Sequence, residues 1–203
     1  MEQTPAFIPK FGGYENLYSY QRSKVVFKGT AYFIDKWVPR ISRTTDQMMQ
    51  AARSGKQNIV EGSLAAAVSK KTEIKLTGVA MASLGELRED YCDFLYVKDI
   101  AEWPKDHRYA RRLSELCRSP DAADYETFRK GIEHPDPVIS ANVLLGLTRV
   151  TIRLLDGQLK RLERDFVSQG GLREKMTRAR LKFREQSREI ARRRTRTRQR
   201  LTG

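Results

Sequence analysis

PVISANVLLGLTRVTIRLLDGQLKRLERDF, residues Pro137 to Phe166, is the stretch on which the fold turns. Val138, Leu145, Ile152, Leu159 and Phe166 stand seven residues apart, and Ala141, Thr148, Leu155 and Leu162 each follow three residues behind. Spacings of three and four put residues on one face of a helix, whereas a strand needs alternation. About four such repeats make a seam of the kind that packs a helix into a bundle. Pro137 suits the first helical turn, where its missing N–H costs nothing. Gly170 and Gly171 supply the usual stop.

The same period recurs toward the N-terminus. Past the Gly12-Gly13 pair, Leu17, Tyr20, Phe27, Ala31, Ile34 and Val38 predict a helix from Tyr14 to Val38, which Pro39 ends. Tyr32, Phe33 and Trp37 fall off its main seam, and this spare apolar surface points to self-association rather than to a wider core. A second segment runs from about Thr44 through Met48, Met49, Ala52 and Ile59 to Gly62. The third opens on Ser69 as N-cap and continues through Leu76, Ala80, Leu84, Leu87, Tyr91 and Phe94. Gly78, Ala82, Ser83 and Gly85 lower its helix propensity, and are read as letting another helix approach closely. From Trp103 to Pro137, Pro104, Pro120 and Pro135 interrupt the pattern, so residues 103–137 are expected to be a connector with one or two short helices. A last helix starts at Leu172, aligns Met176, Phe183 and Ile190 with Ala179 beside them, and dissolves into RRRTRTRQR. The expected fold is all-α: an up-and-down four-helix bundle over residues 14–169, an N-terminal arm over 1–13, and a basic helical extension over 170–203.

Charge divides the chain unevenly. There are 39 Lys and Arg against 25 Asp and Glu, a net +14. Between Arg173 and Arg200 lie 13 of the basic and 3 of the acidic residues, leaving 26 against 22 elsewhere. The body is therefore nearly balanced and the tail is a polycation. No uninterrupted apolar run nears the roughly 18 residues of a membrane span, and Met1 to Lys10 lack a signal-peptide layout. Cys92 and Cys117 stand far apart without a CxxC, which argues against a disulfide framework or a thiolate zinc site. A cytoplasmic protein with no membrane partner is expected.

The tail carries the sharpest functional signal. Clustered Lys and Arg bind nucleic acid by displacing counterions from phosphates, without a sequence code. The expected contacts are Arg173, Lys175, Arg178, Arg180, Lys182, Arg184, Arg188, Arg192, Arg193, Arg194, Arg196, Arg198 and Arg200, with structured RNA or an RNA–DNA intermediate as the favoured ligand; guanidinium groups grip phosphate and also stack on bases. Arg22, Lys24, Lys28, Lys70, Lys71 and Lys75 add basic positions in the body. Against this stand a solubilising tail, a membrane-surface helix, for which Met176, Phe183 and Ile190 are too narrow a stripe, and a basic arm that docks an acidic protein partner.

Chemistry finds few footholds. His107 and His134 lie in the connector without a partner at metal-ligand spacing and read as solvated loop residues. Asp90 and Asp93 match no nuclease signature, and Cys92 reads as a small buried apolar group. Asn58 and Glu61, one turn apart before Gly62, read as bonding to backbone groups freed at a helix end rather than as an acid or ligand. No catalytic residue, metal or cofactor is expected, and the chain is read as no enzyme.

QAARSGKQNIVEGS (Gln50 to Ser63), followed by SKKTEIKLTGVAMASLGELREDY (Ser69 to Tyr91), resembles the four-helix bundle proteins encoded in 23S rRNA intervening sequences. The matching pieces are Ala51-Ala52, Asn58-Ile59-Val60-Glu61-Gly62, the helix start Ser69 to Glu73, and Ala80 to Leu87 with Ser83 and Glu86. Tyr14 to Leu17, Tyr20-Gln21 and Trp37-Val38-Pro39 fit as well. The chain is similar, too, to the basic accessory protein of diversity-generating retroelements. The resemblance covers residues 14 to 100. It implies a homopentamer that binds nucleic acid and serves as accessory to a reverse transcriptase or to structured RNA, with Asn58, Glu61, Gly62, Ser83 and Glu86 as structural motif positions. The connector, the long tail and Val60 in place of a small Ala depart from the pattern, and resemble the subgroup with a C-terminal suffix region.

Overall fold

Most of the helices begin where the sequence offers an acceptor to their first unpaired N–H groups. Ser42, Ser69, Asp124 and Asp136 accept from the N–H of Thr44, Thr72, Glu126 and Val138 at 3.2, 3.2, 3.3 and 2.9 Å. The computed structural model describes residues 13–39 and 42–201, and for 120, 121, 169 and 193–201 the backbone alone. The N-terminal arm, apart from Gly13, lies outside the described residues. Among these residues the chain is all-α, with no strand. A 3-10 turn, Tyr14–Asn16, precedes α1 (Tyr18–Trp37), then come α2 (Arg43–Ala65), α3 (Lys70–Val97), α4 (Arg108–Arg118), a second 3-10 turn (Pro120–Ala123), α5 (Tyr125–Ile132), α6 (Pro137–Gln169) and α7 (Leu172–Leu201).

α2 packs along α3, α3 on α6, α6 on α1 and α1 on α2, and α4 and α5 contribute side chains to the same core. Val26, Phe33, Met48, Leu84, Leu87, Tyr91, Leu144 and Leu155 fill it, all essentially without solvent contact. The true centre of α6 is the line Ala141, Leu144, Thr148, Thr151 and Leu155, whereas Phe166 at the end of the expected seam is 38% exposed. Buried hydroxyls are satisfied inside the core: Thr30 Oγ1 and Tyr91 Oη stand 2.9 Å apart, and Thr148 and Thr151 donate to carbonyls one turn back. Close approach is bought with glycine. A Cβ at Gly55 would sit 2.7 Å from Leu84, and one at Gly29 2.5 Å from Leu144.

Five expectations need correction. Phe33 does not lie off the seam: it is fully buried, with the rings of Tyr91 and Phe94 at 5.2 and 4.8 Å. Tyr32 and Trp37 are half-buried against the core, so the spare-aromatic argument for self-association fails. α1 starts at Tyr18, after the separate 3-10 turn. α2 runs through Gly62 to Ala65, because Gly62 lies in the helix where its missing Cβ admits α3; a Cβ there would meet Leu76 Cβ at 3.3 Å. Gly78 and Gly85 have nothing within 4 Å of a built Cβ, and Ala82 is exposed. Of that small-residue group Ser83 alone is buried against a neighbouring helix, its Oγ 2.9 Å from Ser54 Oγ. Finally, α7 does not dissolve at its arginine run, since the helix continues to Leu201.

The stretch between α3 and α6 folds back onto α1 and α6. α4 packs on α6, and α5 packs on both α1 and α6. Arg22, buried in α1, donates from its two terminal nitrogens to the carbonyls of Ala122 and Cys117 and lies over the Phe128 ring at 5.1 Å. This one side chain ties α1 to the turn between α4 and α5.

Candidate nucleic-acid interface

α7 is built from strong helix formers, chiefly Arg, Lys, Leu, Met, Glu, Gln and Ala. Gly170, at φ 72, ends α6 in a backbone region that favours glycine, and its N–H donates to the Phe166 carbonyl at 2.9 Å. The Glu174 carboxylate accepts the Gly171 N–H at 2.8 Å, which caps the new helix and places a negative charge at its positive end. At 1.5 Å per residue, α7 is an arm of about 45 Å. It makes no extended contact with the body among the described residues. Its apolar side chains Met176, Leu181, Phe183 and Ile190 are between 41% and 65% exposed.

The arm displays most of the expected contacts. Arg173, Arg178, Arg180, Lys182, Arg184, Arg188 and Arg192 are exposed, and Lys175 is half-buried. Arg193, Arg194, Arg196, Arg198 and Arg200 fall within α7, but their side chains lie outside the described ones. One regularity escaped the reading of the sequence: Arg180, Arg184, Arg188 and Arg192 stand four residues apart. Along a helix, such neighbours lie one turn apart and repel by about 0.2–0.5 kcal/mol per pair. A polyanion laid along the row removes that repulsion. The spacing was legible, but only once the arginine run is helical does it become a row.

The motif positions gather elsewhere, along the α2/α3 contact. Asn58 Nδ2 donates to the Ser54 carbonyl and to Ser54 Oγ, at 2.9 and 3.1 Å, and Ser54 meets Ser83. Asn58 thus bonds within a continuing helix and caps no helix end, while Glu61 is exposed; the expected pairing at a helix terminus is wrong because α2 does not end there. Glu86 joins Asp46, Glu89 and Asp90 around an open groove of about 760 Å³ between the two helices. Burial, together with Asp93 and Glu86, pushes the Asp90 carboxyl up to about 6. The carboxylates around this groove set it apart in charge from α7.

The basic residues of the body differ in placement. Arg22 is buried. Lys28 lies over the Tyr125 ring at 4.0 Å, Lys24 over Tyr20 at 5.8 Å, and Lys70 pairs with Glu73 at 2.7 Å. Lys71 and Lys75 are exposed on α3. The histidines lie between helices, as expected, and are partly exposed, but each also accepts a backbone hydrogen bond. His107 Nδ1 accepts the Tyr109 N–H at 3.3 Å to start α4, and its ring stacks on Trp103 at 4.9 Å. His134 Nδ1 accepts the Asp136 N–H at 3.0 Å. Cys92 is half-buried beside Arg149, and burial with a Glu102 hydrogen bond pushes its thiol up to about 11, so it stands as the thiol near neutral pH. Among the described residues, no group of three or more His, Cys, Asp or Glu is placed to hold a metal ion. One stretch, Pro137–Arg192, contains an apolar window long enough to cross a membrane, contrary to the count of uninterrupted residues, and 56% of that window is buried inside the protein.

Reading the sequence missed a second concave feature, enclosed by α4, α5 and α6. It has a volume of about 380 Å³ and is walled by Leu113, Phe128 and Val143, with Trp103 and Tyr109 also lining it. Its parts are dispersed from residue 103 to residue 143, so no local pattern announces it. Comparison of the chain with protein-family models, curated proteins and solved structures finds no match.

Proposed function

We propose that this chain is a non-enzymatic, oligomeric nucleic-acid-binding scaffold of the cytoplasm, with RNA as the favoured ligand. In this reading α1, α2, α3 and α6 form an up-and-down four-helix bundle that assembles copies, and α7 is the arm that lies along phosphates. The observation that carries it is α7 itself: a 30-residue helix, rich in exposed arginine, with no extended seat on its own body. Assembly is supported by apolar surface on α3, where Tyr96 and Val97 are 84% and 82% exposed. The family resemblance implies that the assembly is a homopentamer and that it serves as accessory to a reverse transcriptase or to structured RNA. Several arms on one assembly then raise avidity well above that of a single arm.

Fluorescence anisotropy with RNA and DNA across a salt series tests this. Affinity should fall on a log–log plot with a slope of about −0.7 per phosphate contacted on single strands. Affinity indifferent to salt, or unchanged when Arg192 to Arg200 are replaced by Gln, overturns it. A second reading has the arm dock an acidic protein; the exposed Met176, Leu181, Phe183 and Ile190 favour it. Partners that stay bound in a pulldown after nuclease treatment would support the adaptor over the nucleic-acid scaffold.

A further inference from the structure

We infer that the cavity between α4, α5 and α6 receives one base of a single-stranded nucleic acid. The inference rests on the nucleic-acid reading but assigns a different place and a different role. α7 offers charge, which any phosphate chain satisfies. The cavity offers shape and stacking, which only an unpaired base satisfies.

The chemistry of a base fits the lining. A base has apolar planar faces, polar edges and an attached anion. Leu113, Phe128 and Val143, each 9% exposed or less, provide an apolar floor. Trp103 and Tyr109 line it side by side, with ring centroids 5.3 Å apart and planes tilted by 41°. Trp103 is held in place: its backbone N–H donates to Asn142 Oδ1 at 2.8 Å, and the His107 ring stacks at 4.9 Å with an interplanar angle of 18°. A platform already ordered loses little freedom when a base joins the stack. A volume of about 380 Å³ falls within the range of small-ligand pockets.

The rim is cationic. Arg112 and Lys130 are exposed and line the cavity. Arg112 pairs with Glu115 at 3.1 Å, but both side chains are at least 60% exposed, and such pairs yield readily to a phosphate. α4 carries Arg108, Arg111, Arg112 and Arg118 against the single acid Glu115. His134, which also lines the cavity, accepts a backbone N–H at Nδ1, so in the neutral ring Nε2 carries the proton and donates to an acceptor on a base edge. The ligand must be single-stranded, because a base held in a duplex cannot leave its stack without losing pairing and stacking.

The full chain is titrated with a short fluorescein-labelled single-stranded RNA, the same strand made abasic, and a duplex of equal length. Separately, intrinsic tryptophan fluorescence is followed as AMP or UMP is added. Trp103→Ala and Tyr109→Ala should each weaken binding of the base-bearing strand by about tenfold or more and leave the abasic strand and duplex unchanged. The nucleotide should quench wild-type fluorescence, and that quenching should vanish in Trp103→Ala. Tyr109, on the rim, provides a variant that leaves the packed floor untouched. Single-strand affinity unchanged in both variants, or an abasic strand binding as tightly as its parent, overturns the inference. Oligonucleotide binding without nucleotide quenching removes the cavity alone. Quenching without any oligonucleotide binding removes the α7 reading and leaves the cavity standing.

Discussion

Replacing Arg184 and Arg192 by glutamate should make α7 a firmer helix and a poorer ligand for RNA. Both residues are exposed on a continuous helix in the row Arg180, Arg184, Arg188 and Arg192. With the two substitutions, three neighbouring like-charge pairs of that row become opposite-charge pairs. Glu189, three residues before Arg192, goes the other way and gains a repulsive neighbour. The net is two favourable conversions. Each one exchanges a penalty of about 0.2–0.5 kcal/mol for a gain of similar size, so the helix is stabilised by about 1–2 kcal/mol at low salt. Salt near 0.1 M shortens the screening length to about 10 Å and trims this gain without abolishing it.

The same change moves the local charge by four units toward negative and removes two guanidinium groups from the phosphate track. On single strands the salt slope should shrink by about 1.4, at about 0.7 per lost contact. Far-UV circular dichroism reads the first effect and fluorescence anisotropy across a salt series the second. The two must move in opposite directions. A variant that binds RNA at low salt as the parent does would refute the arm as the phosphate-binding element. A variant that loses helicity would refute the repulsive row. A purely structural role for the arginines predicts neither the opposition nor the altered slope.

Three further outcomes follow from the core and the groove. Phe33→Ala removes a fully buried ring packed edge-on to Tyr91 and Phe94 and should cost about 3–5 kcal/mol in urea unfolding; a cost under about 1 kcal/mol would return Phe33 to the surface. Gly55→Ala puts a Cβ 2.7 Å from Leu84 and should cost about 1–3 kcal/mol, whereas a neutral result would mean that α2 and α3 do not meet so closely. Asp90, with its carboxyl pushed up to about 6 from an ordinary 3.8, binds its proton more tightly folded than unfolded. It therefore contributes a loss of stability as pH rises from about 4 to about 6. Asp90→Asn should remove that component and be more stable than wild type at neutral pH; unfolding midpoints that track the wild type in parallel across this window would contradict the groove's electrostatics.

The helices themselves were legible because burial leaves a period. α6 reads from Val138 onward since its buried positions repeat in threes and fours, and Ser69 reads as a cap since a hydroxyl there has one obvious use. Which side of a helix is buried was harder to read. Phe33 was placed off the seam because α1 is enclosed by α2, α3, α5 and α6, and a helix covered on several sides buries more than one stripe. Gly78 and Gly85 looked like contact points, yet smallness marks a close approach only where a neighbour is present, and none lies within 4 Å. The arginine run is expected to dissolve the last helix because an apolar face is the usual sign of a packed one; strong helix formers carry the element on to Leu201. The cavity was unreadable for a different reason. Its lining is assembled across three helices, and it exists only because α5 folds back between α1 and α6.

Charge and stacking obey different laws, and their separation on this chain has a consequence for selectivity. Phosphate contacts made by α7 weaken steeply with salt and treat all nucleic acids alike. Stacking in an apolar cavity responds far less to salt, because screening acts on the rim cations and not on Leu113, Phe128 or Trp103. As ionic strength rises, total affinity should therefore fall while preference for single strands over duplex increases. Trp103→Ala should flatten that rising preference and leave the fall in affinity intact; Arg184→Glu with Arg192→Glu should do the reverse. If preference and affinity decline together in the wild-type chain, both terms come from the same electrostatic contact and the arm alone binds.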